Sequence, residues 1–348
     1  MQPGHAWQAL FVDLGADLGY NAEARAVFPG RRDRRPGRTG TDGAGPRGAD
    51  PRLLVGQGGR IVVMAAPHDD PPAEVSIGAG LARVDEDRHR PGSFTLVVDG
   101  TPQSHVDLDD PTHLAFEYVR RIGHAIDLLP EGPLTALHLG GGALTLPRYV
   151  EATRPGSRQQ VIELEADLIA LVRERLPFPR GASIRMRYGD AREVMEKLPA
   201  GLRGSVDLLV VDVFGGSRIP AHVTSLEFYT AASSFLSPTG MLIVNSADGA
   251  GLAFARGQAS TLATVFEHVA AVADPATLKG RRFGNVVLIG SPSPLPTDRM
   301  PRLYSSDPLP AKVVHGRELR DFVAGAPVVT DATAVPSPEP SRSVFGAR

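Results

Sequence analysis

The sequence predicts an α/β fold, an open and mostly parallel sheet preceded by a small antiparallel β-domain, on three observations. From Leu134 to Ile289, short apolar runs of strand length alternate with stretches of helical spacing. A glycine turn, Gly140-Gly141-Gly142, follows the first of those runs. Three acids, Glu163, Asp190 and Asp212, end or directly follow the next three runs. The glycine turn and the acids thus share the carboxyl edge of successive parallel strands, which is where open α/β sheets bind ligands.

Each element has its own signal. Leu134 to Leu139 is a strand, and the glycines after it let the backbone turn tightly and approach a ligand closely. Thr145 to Thr153 has helical spacing, with Pro147 in its first turn. Gln159 to Leu164 is the second strand, and Glu163 lies about twenty residues beyond the glycines, the spacing at which an acid accepts hydrogen bonds from ribose hydroxyls. A helix over 166–175 leads to the strand Ile184 to Tyr188, then Gly189-Asp190-Ala191. Val206 to Val211 is a fourth strand, closed by Asp212 and a long loop. A helix from Ser225 to Phe235, a strand from Met241 to Asn245, a helix from Gly251 to Phe266 and strands at His268 to Ala273 and Asn285 to Ile289 complete the pattern, the last inserted antiparallel after a glycine-bounded turn. Upstream, Ile61 to Ala65, Gly80 to Val84 and Ser93 to Val98 are separated by Pro and Gly clusters and predict β-hairpins. A helix from Thr112 to Leu128 follows, capped by Asp109 or Asp110 with Pro111 at its first position and with Phe116, Val119, Ile122 and Ile126 on one face.

Four segments result. Residues 1–60 form an Arg/Gly/Pro-rich leader expected to be disordered, because it cannot bury enough apolar surface to offset its ordering entropy. Its arginines lack interleaved aromatics, so no nucleic acid is expected as a partner. Residues 61–130 form the β-domain with its connecting helix, 131–291 the Rossmann-like catalytic domain, and 292–348 a Pro-rich tail expected to be mostly disordered, with a helix only at Lys312 to Ala324. With 348 residues, 42% of them hydrophobic, the chain has enough for a large core. A net charge of −2 gives no overall pull toward nucleic acid or acidic lipid, and no apolar run approaches the roughly 20 residues of a membrane span. The start of the chain lacks a secretory pattern, which leaves the cytoplasm as the expected location. Cysteine is absent, excluding disulfides and thiolate chemistry, and no tight His/Asp/Glu spacing predicts a metal.

From Gly80 to Gly290 the sequence resembles the spermidine synthases, or polyamine aminopropyltransferases. The resemblance rests on Asp99-Gly-Thr-Pro-Gln103, Gly140-Gly-Gly-Ala-Leu-Thr145, Ile162-Glu-Leu-Glu165, Gly189-Asp-Ala191, Asp212-Val-Phe-Gly215, and Pro220-Ala-His222 leading to Glu227-Phe-Tyr229, in that order. It implies the Rossmann-like fold of S-adenosylmethionine-dependent methyltransferases, with a seven-stranded mostly parallel sheet. It also implies a permanent cofactor nowhere, decarboxylated S-adenosylmethionine (or S-adenosylmethionine) as co-substrate, a small-molecule amine as acceptor, and a homodimer assembled through the β-domain. By the same resemblance Glu163 binds the ribose, Asp190 with Ala191 the adenine, and the backbone of Gly140, Gly141 and Gly142 approaches the methionine-derived part. Gln103 closes the site from the β-domain, and Asp212 is the general base that a protonated amine requires.

The departures fall on the amine side. The family's second loop acid is Gly215, its Gly-Gly-Gly-Asp-Gly-Gly acid is Ala143, its Pro-Ala-Glu acid is His222, and its Tyr-His-Glu reads as Ala115-Phe116-Glu117. Glu117 and Asp248, the latter on the ligand edge after the fifth strand, are the candidates to supply the missing negative charge. Asp190 serves equally as a helix cap, and His138 and His222 read as structural. Two alternatives stand beside aminopropyl transfer. Loss of the acid at Ala143 would ease repulsion of a methionine carboxylate and admit a methyltransferase, and a non-catalytic adenosyl-binding protein is the other.

Overall fold

The computed structural model describes residues 74–340 apart from Arg180; the leader and the strand expected at Ile61 to Ala65 lie outside them. Strands β1 (Val75–Ile77), β2 (Gly80–Glu86), β3 (Ser93–Val98) and β4 (Thr101–Asp107) form an antiparallel sheet in that order. Asp99 and Gly100 both take positive φ, 48° and 76°, which is the two-residue hairpin that an Asp-Gly pair favours.

Helix α1 (Glu117–Asp127) starts at Glu117 and not at Thr112. The acids expected to cap it are engaged in a turn instead. The Asp107 carboxylate, buried and paired with Arg90, accepts the backbone amides of Asp109 and Asp110 at 2.9 and 2.8 Å. The apolar face is as expected, with Phe116, Val119, Ile122 and Ile126 all buried.

The remaining elements alternate as β5 (Thr135–Leu139), α2 (Thr145–Thr153), β6 (Arg158–Glu163), α3 (Ala166–Arg175), β7 (Ile184–Tyr188), α4 (Ala191–Glu196), β8 (Val206–Val211), α5 (Leu226–Ser233), β9 (Leu236–Asp248), α6 (Ala253–Val265), β10 (His268–Ala273), α7 (Pro275–Leu278) and β11 (Gly284–Ser291). Then follow α8 (Met300–Ser305), β12 (Lys312–His315) and α9 (Gly316–Val323). The sheet order is β12-β10-β11-β9-β8-β5-β6-β7. Strands β9, β8, β5, β6 and β7 are parallel, and β11, β10 and β12 join antiparallel.

Period-two alternation buries both faces. Leu209, Val211, Val286 and Leu288 pack toward α5 and α6, while Leu208, Val210, Val287 and Ile289 pack toward α1 and α2. The chain goes from β5 to β6 and β7 on one side, then returns to place β8 on the other. The strand order therefore reverses between β5 and β8, and in such sheets the crevice at that reversal binds ligands. The β-domain packs over this region through Ile77, Val84, Leu96 and Val106 against Leu144, Leu168 and Ile169.

The segment from residue 292, expected to be mostly disordered, is structured as far as residue 340. Lys312 to His315 forms a strand and not the start of a helix: β-branched Val313 and Val314 pair antiparallel with Val272 and Ala271, adding an eighth strand where seven were expected. Beyond α9 the chain runs extended, which suits its prolines, and is fixed by side-chain and main-chain bonds outside any sheet. Leu226 N donates to the Val329 carbonyl at 2.7 Å, and Ile219 N to Ser337 Oγ at 2.9 Å. Composition reads as disorder when such docking partners are distant in sequence. Asp307 ties the tail to α1, accepting both Arg120 Nε (3.1 Å) and His124 Nε2 (2.9 Å) with its side chain only 6% exposed. Asp307→Ala leaves a half-buried guanidinium unpaired and is expected to destabilise the fold by about 2 kcal/mol in denaturant titration. Among the described residues no helix is long and apolar enough to cross a membrane.

Candidate active site

The turn after β5 is built around Gly140. Its φ is +88°, and a Cβ there would lie 2.1 Å from the Asp212 carbonyl oxygen, so the ends of β5 and β8 approach as closely as only glycine allows. Asp212 N donates to the Leu139 carbonyl at 2.8 Å, which locks the two strand ends together. The turn's amides are all engaged within the chain. Gly140 N donates to the Ile162 carbonyl (2.9 Å), Gly141 N and Gly142 N to Glu163 Oε2 (2.8 and 3.2 Å), and Ala143 N to Ser104 Oγ (3.2 Å). Glu163 Oε1 accepts Glu165 N at 3.1 Å. Leu144 holds the left-handed conformation (φ 64°) that glycine would adopt freely, and its side chain is fully buried with Ala143 against the β-domain.

Asp212 sits at the strand reversal. Asn245 Nδ2 donates to its Oδ1 at 2.8 Å, Asn285 Nδ2 in turn donates to Asn245 Oδ1 at 2.8 Å, and the Tyr118 hydroxyl also donates to the Asp212 carboxylate. Burial pushes the carboxyl up to about 6, with Glu163 adding a smaller repulsion, while the Asn245 and Tyr118 hydrogen bonds restrain the rise. Tyr118 itself is pushed well above an ordinary phenol by burial and by the Asp212 charge, so it remains a donor. Such an acid is a competent proton acceptor near neutral pH.

The other expected residues divide. Asp190 both caps α4, accepting Arg192 N and Glu193 N at 3.0 and 3.1 Å through Oδ1, and pairs with His222 Nε2 at 2.7 Å through Oδ2. Burial raises its pKa, but these bonds outweigh it and hold the carboxyl below its usual value. Ala191 and Gln103 line the same cleft. Glu117 and Asp248 do not converge on it. Glu117 is paired with Arg121 and Arg282, and Asp248 accepts Gly249 N and Ala255 N at 2.7 and 2.8 Å at the start of α6. His138 is buried against Gln159 Oε1 at 3.0 Å, and burial depresses it to about 4.

Tyr118, Asn245 and Asn285 were not anticipated. Tyr118 directly follows Ala115-Phe116-Glu117, the segment whose alignment with Tyr-His-Glu leaves no tyrosine in place. A polar Asn245 closing the apolar run Met241 to Val244 was a visible signal. Its partner Asn285 becomes apparent only through the β9–β11 pairing.

The cleft has a volume of about 210 Å³, and its charged lining consists of Glu163, Glu165, Asp190 and Asp212 with His222. Among the described residues no lysine or arginine lines it, and no group of three or more His, Asp and Glu is placed to hold a metal ion. An acid-walled cleft with no lysine or arginine favours cationic ligands over anionic ones.

Several known proteins are similar to this chain. The crystal structure of a probable spermidine synthase from Corynebacterium glutamicum is 32% identical, matches 75% of this chain and 96% of that one, and superposes with a TM-score of 0.68. A polyamine aminopropyltransferase from Chromobacterium violaceum is 29% identical over 149 residues, 42% of this chain and 54% of that protein, so the chain spans about half the length of the curated relative it matches. A spermidine synthase in complex with the transition-state analogue AdoDATO shares the fold, with a TM-score of 0.50, at 14% identity over 79% of this chain and 85% of that one. No protein-family model matches the sequence.

Proposed function

Because the chain belongs to the spermidine synthase family, we propose that it transfers an aminopropyl group from decarboxylated S-adenosylmethionine to an amine, with Asp212 as general base. The observation that carries this reading is the charge of the cleft: four carboxylates, no arginine or lysine, and glycine-turn amides all engaged within the chain. The decarboxylated donor brings a sulfonium and an ammonium and no carboxylate. S-adenosylmethionine would bring a further carboxylate into a cleft already walled by four, where like charges repel it. The methyltransferase alternative also loses its motive at Ala143, whose side chain is buried against the β-domain and does not line the cleft.

The step is an in-line displacement. An ammonium gives a proton to Asp212, and the freed nitrogen lone pair forms a bond to the carbon attached to sulfur. The carbon–sulfur bond breaks with its electron pair going to sulfur, and neutral methylthioadenosine leaves. Glu163 and Asp190 hold the adenosyl group, and Gln103 closes the cleft from the β-domain.

Calorimetric titration with each donor tests the reading. Decarboxylated S-adenosylmethionine is expected to bind at least about tenfold more tightly than S-adenosylmethionine, and adding amine should release methylthioadenosine. Tighter binding of S-adenosylmethionine would redirect the search to methyl acceptors, and binding of neither would remove the donor altogether.

A further inference from the structure

The acceptor of this reaction can be narrowed, on the premise that the aminopropyl reading holds. Displacement at carbon requires the nucleophile opposite the leaving sulfur, so the acceptor enters from the side of Asp212 remote from the adenosyl group. A second cavity of about 80 Å³ lies beside the main cleft, sharing Gln103, Tyr118, Phe214 and Gly216 with it. It adds Asn245, Asn285 and Phe283, so it reaches the two residues that hold the base from behind.

Among the described residues this second cavity is lined by no carboxylate and no basic side chain. The acids near this lining are committed elsewhere: Asp99 accepts Leu81 N, and Glu339 pairs with Arg218. Glu117 pairs with Arg121 and Arg282, Asp274 caps α7 and pairs with Arg282, and Asp248 caps α6. The two asparagine amides are spent on one another and on Asp212. What remains for a ligand is the apolar wall of Phe214, Phe283, Ala247, Pro102 and Pro340, together with the neutral polar groups of Thr101, Gln103 and Ser217 and the Asn285 side-chain carbonyl, none of which carries a charge. A diamine would place its second ammonium among these groups, partly desolvated and without a counter-charge. An uncharged tail loses nothing there and gains apolar contact.

We propose that the acceptor is a primary monoamine with an apolar tail, its amine at Asp212 and its tail between Phe214 and Phe283. The test uses the full chain, decarboxylated S-adenosylmethionine as donor, methylthioadenosine release as readout, and n-pentylamine against putrescine. These two amines have equal numbers of heavy atoms and differ in whether the far end is a methyl or an ammonium. The kcat/KM for n-pentylamine is expected to exceed that for putrescine by about tenfold or more. Ser217→Asp, which places a carboxylate in the second cavity, should move the ratio back toward putrescine by about tenfold, with donor titration showing that the variant is folded. A wild-type preference for putrescine overturns the proposal, as does an unchanged ratio in folded Ser217→Asp. Release with neither amine, while the donor still binds, rejects the aminopropyl reading and this inference with it.

Discussion

Asp212→Asn is expected to lower turnover by about 10²- to 10⁴-fold, the usual contribution of a positioned general base, while leaving donor affinity within a few fold. The amide keeps the shape and the Asn245 contact but cannot accept the ammonium's proton. The wild-type profile should show an acid limb. Because the carboxyl is raised to about 6, kcat/KM falls as the pH drops through 6 and the base becomes protonated. Tyr118→Phe removes a donor that favours the charged form, so the limb moves to higher pH. A limb that stays put in Tyr118→Phe, or that survives in Asp212→Asn, would assign the proton transfer to another group.

The same shift makes a stability prediction of opposite sign. A carboxyl whose folded pKa is raised above 3.8 stabilises the fold below that pH, relative to its ionised state, and the contribution is lost as the pH rises through about 6. Ionised Asp212 therefore costs at most about 3 kcal/mol at pH 8, less for the edge it keeps on the cleft. Asp212→Asn should melt higher than wild type at pH 8, and the two should converge at pH 4. An inactive variant that is also more stable separates loss of chemistry from loss of fold.

Gly140→Ala is expected to destabilise the protein by about 3–4 kcal/mol and to abolish turnover together. The new Cβ would face the Asp212 carbonyl at 2.1 Å from a backbone already at φ +88°, so relief requires moving the peptide that carries the base. Gly141→Ala is the control. Its φ is ordinary and its nearest contact is Val161 Cγ1 at 3.1 Å, a side chain able to shift, so about 1 kcal/mol is expected. Equal losses in the two variants, by thermal melting and methylthioadenosine release, would mean that the β5–β8 junction is not the constraint.

How much of this was legible beforehand follows from the range of the interactions. Element boundaries set by local chemistry agree with the sequence: Thr145–Thr153, Ala166–Arg175, Ile184–Tyr188 and Val206–Val211 are where their periodicity places them. So is the ligand edge, because Gly140, Glu163, Asp190 and Asp212 must follow strand ends whichever way the strands are ordered. The start of α1 was not legible, since Asp107 and Asp110 gather the amides of Asp109, Asp110 and Thr112 into a turn that delays the helix to Glu117. Nor was the order of the tail, whose partners Ile219, Leu226 and Arg120 lie far upstream. Residue type alone made Asp248 and Glu117 candidates for the amine and left Tyr118 unnoticed. Which carboxylates face the cleft depends on partners supplied by other elements, Arg282 for Glu117 and the α6 amides for Asp248. The sequence by itself determined the kind of sheet and the edge that carries Gly140, Glu163, Asp190 and Asp212, because strand periodicity and turn residues act over a few positions. Only the tertiary structure decided which acids face the cleft, because that depends on neighbours brought to each side chain by folding.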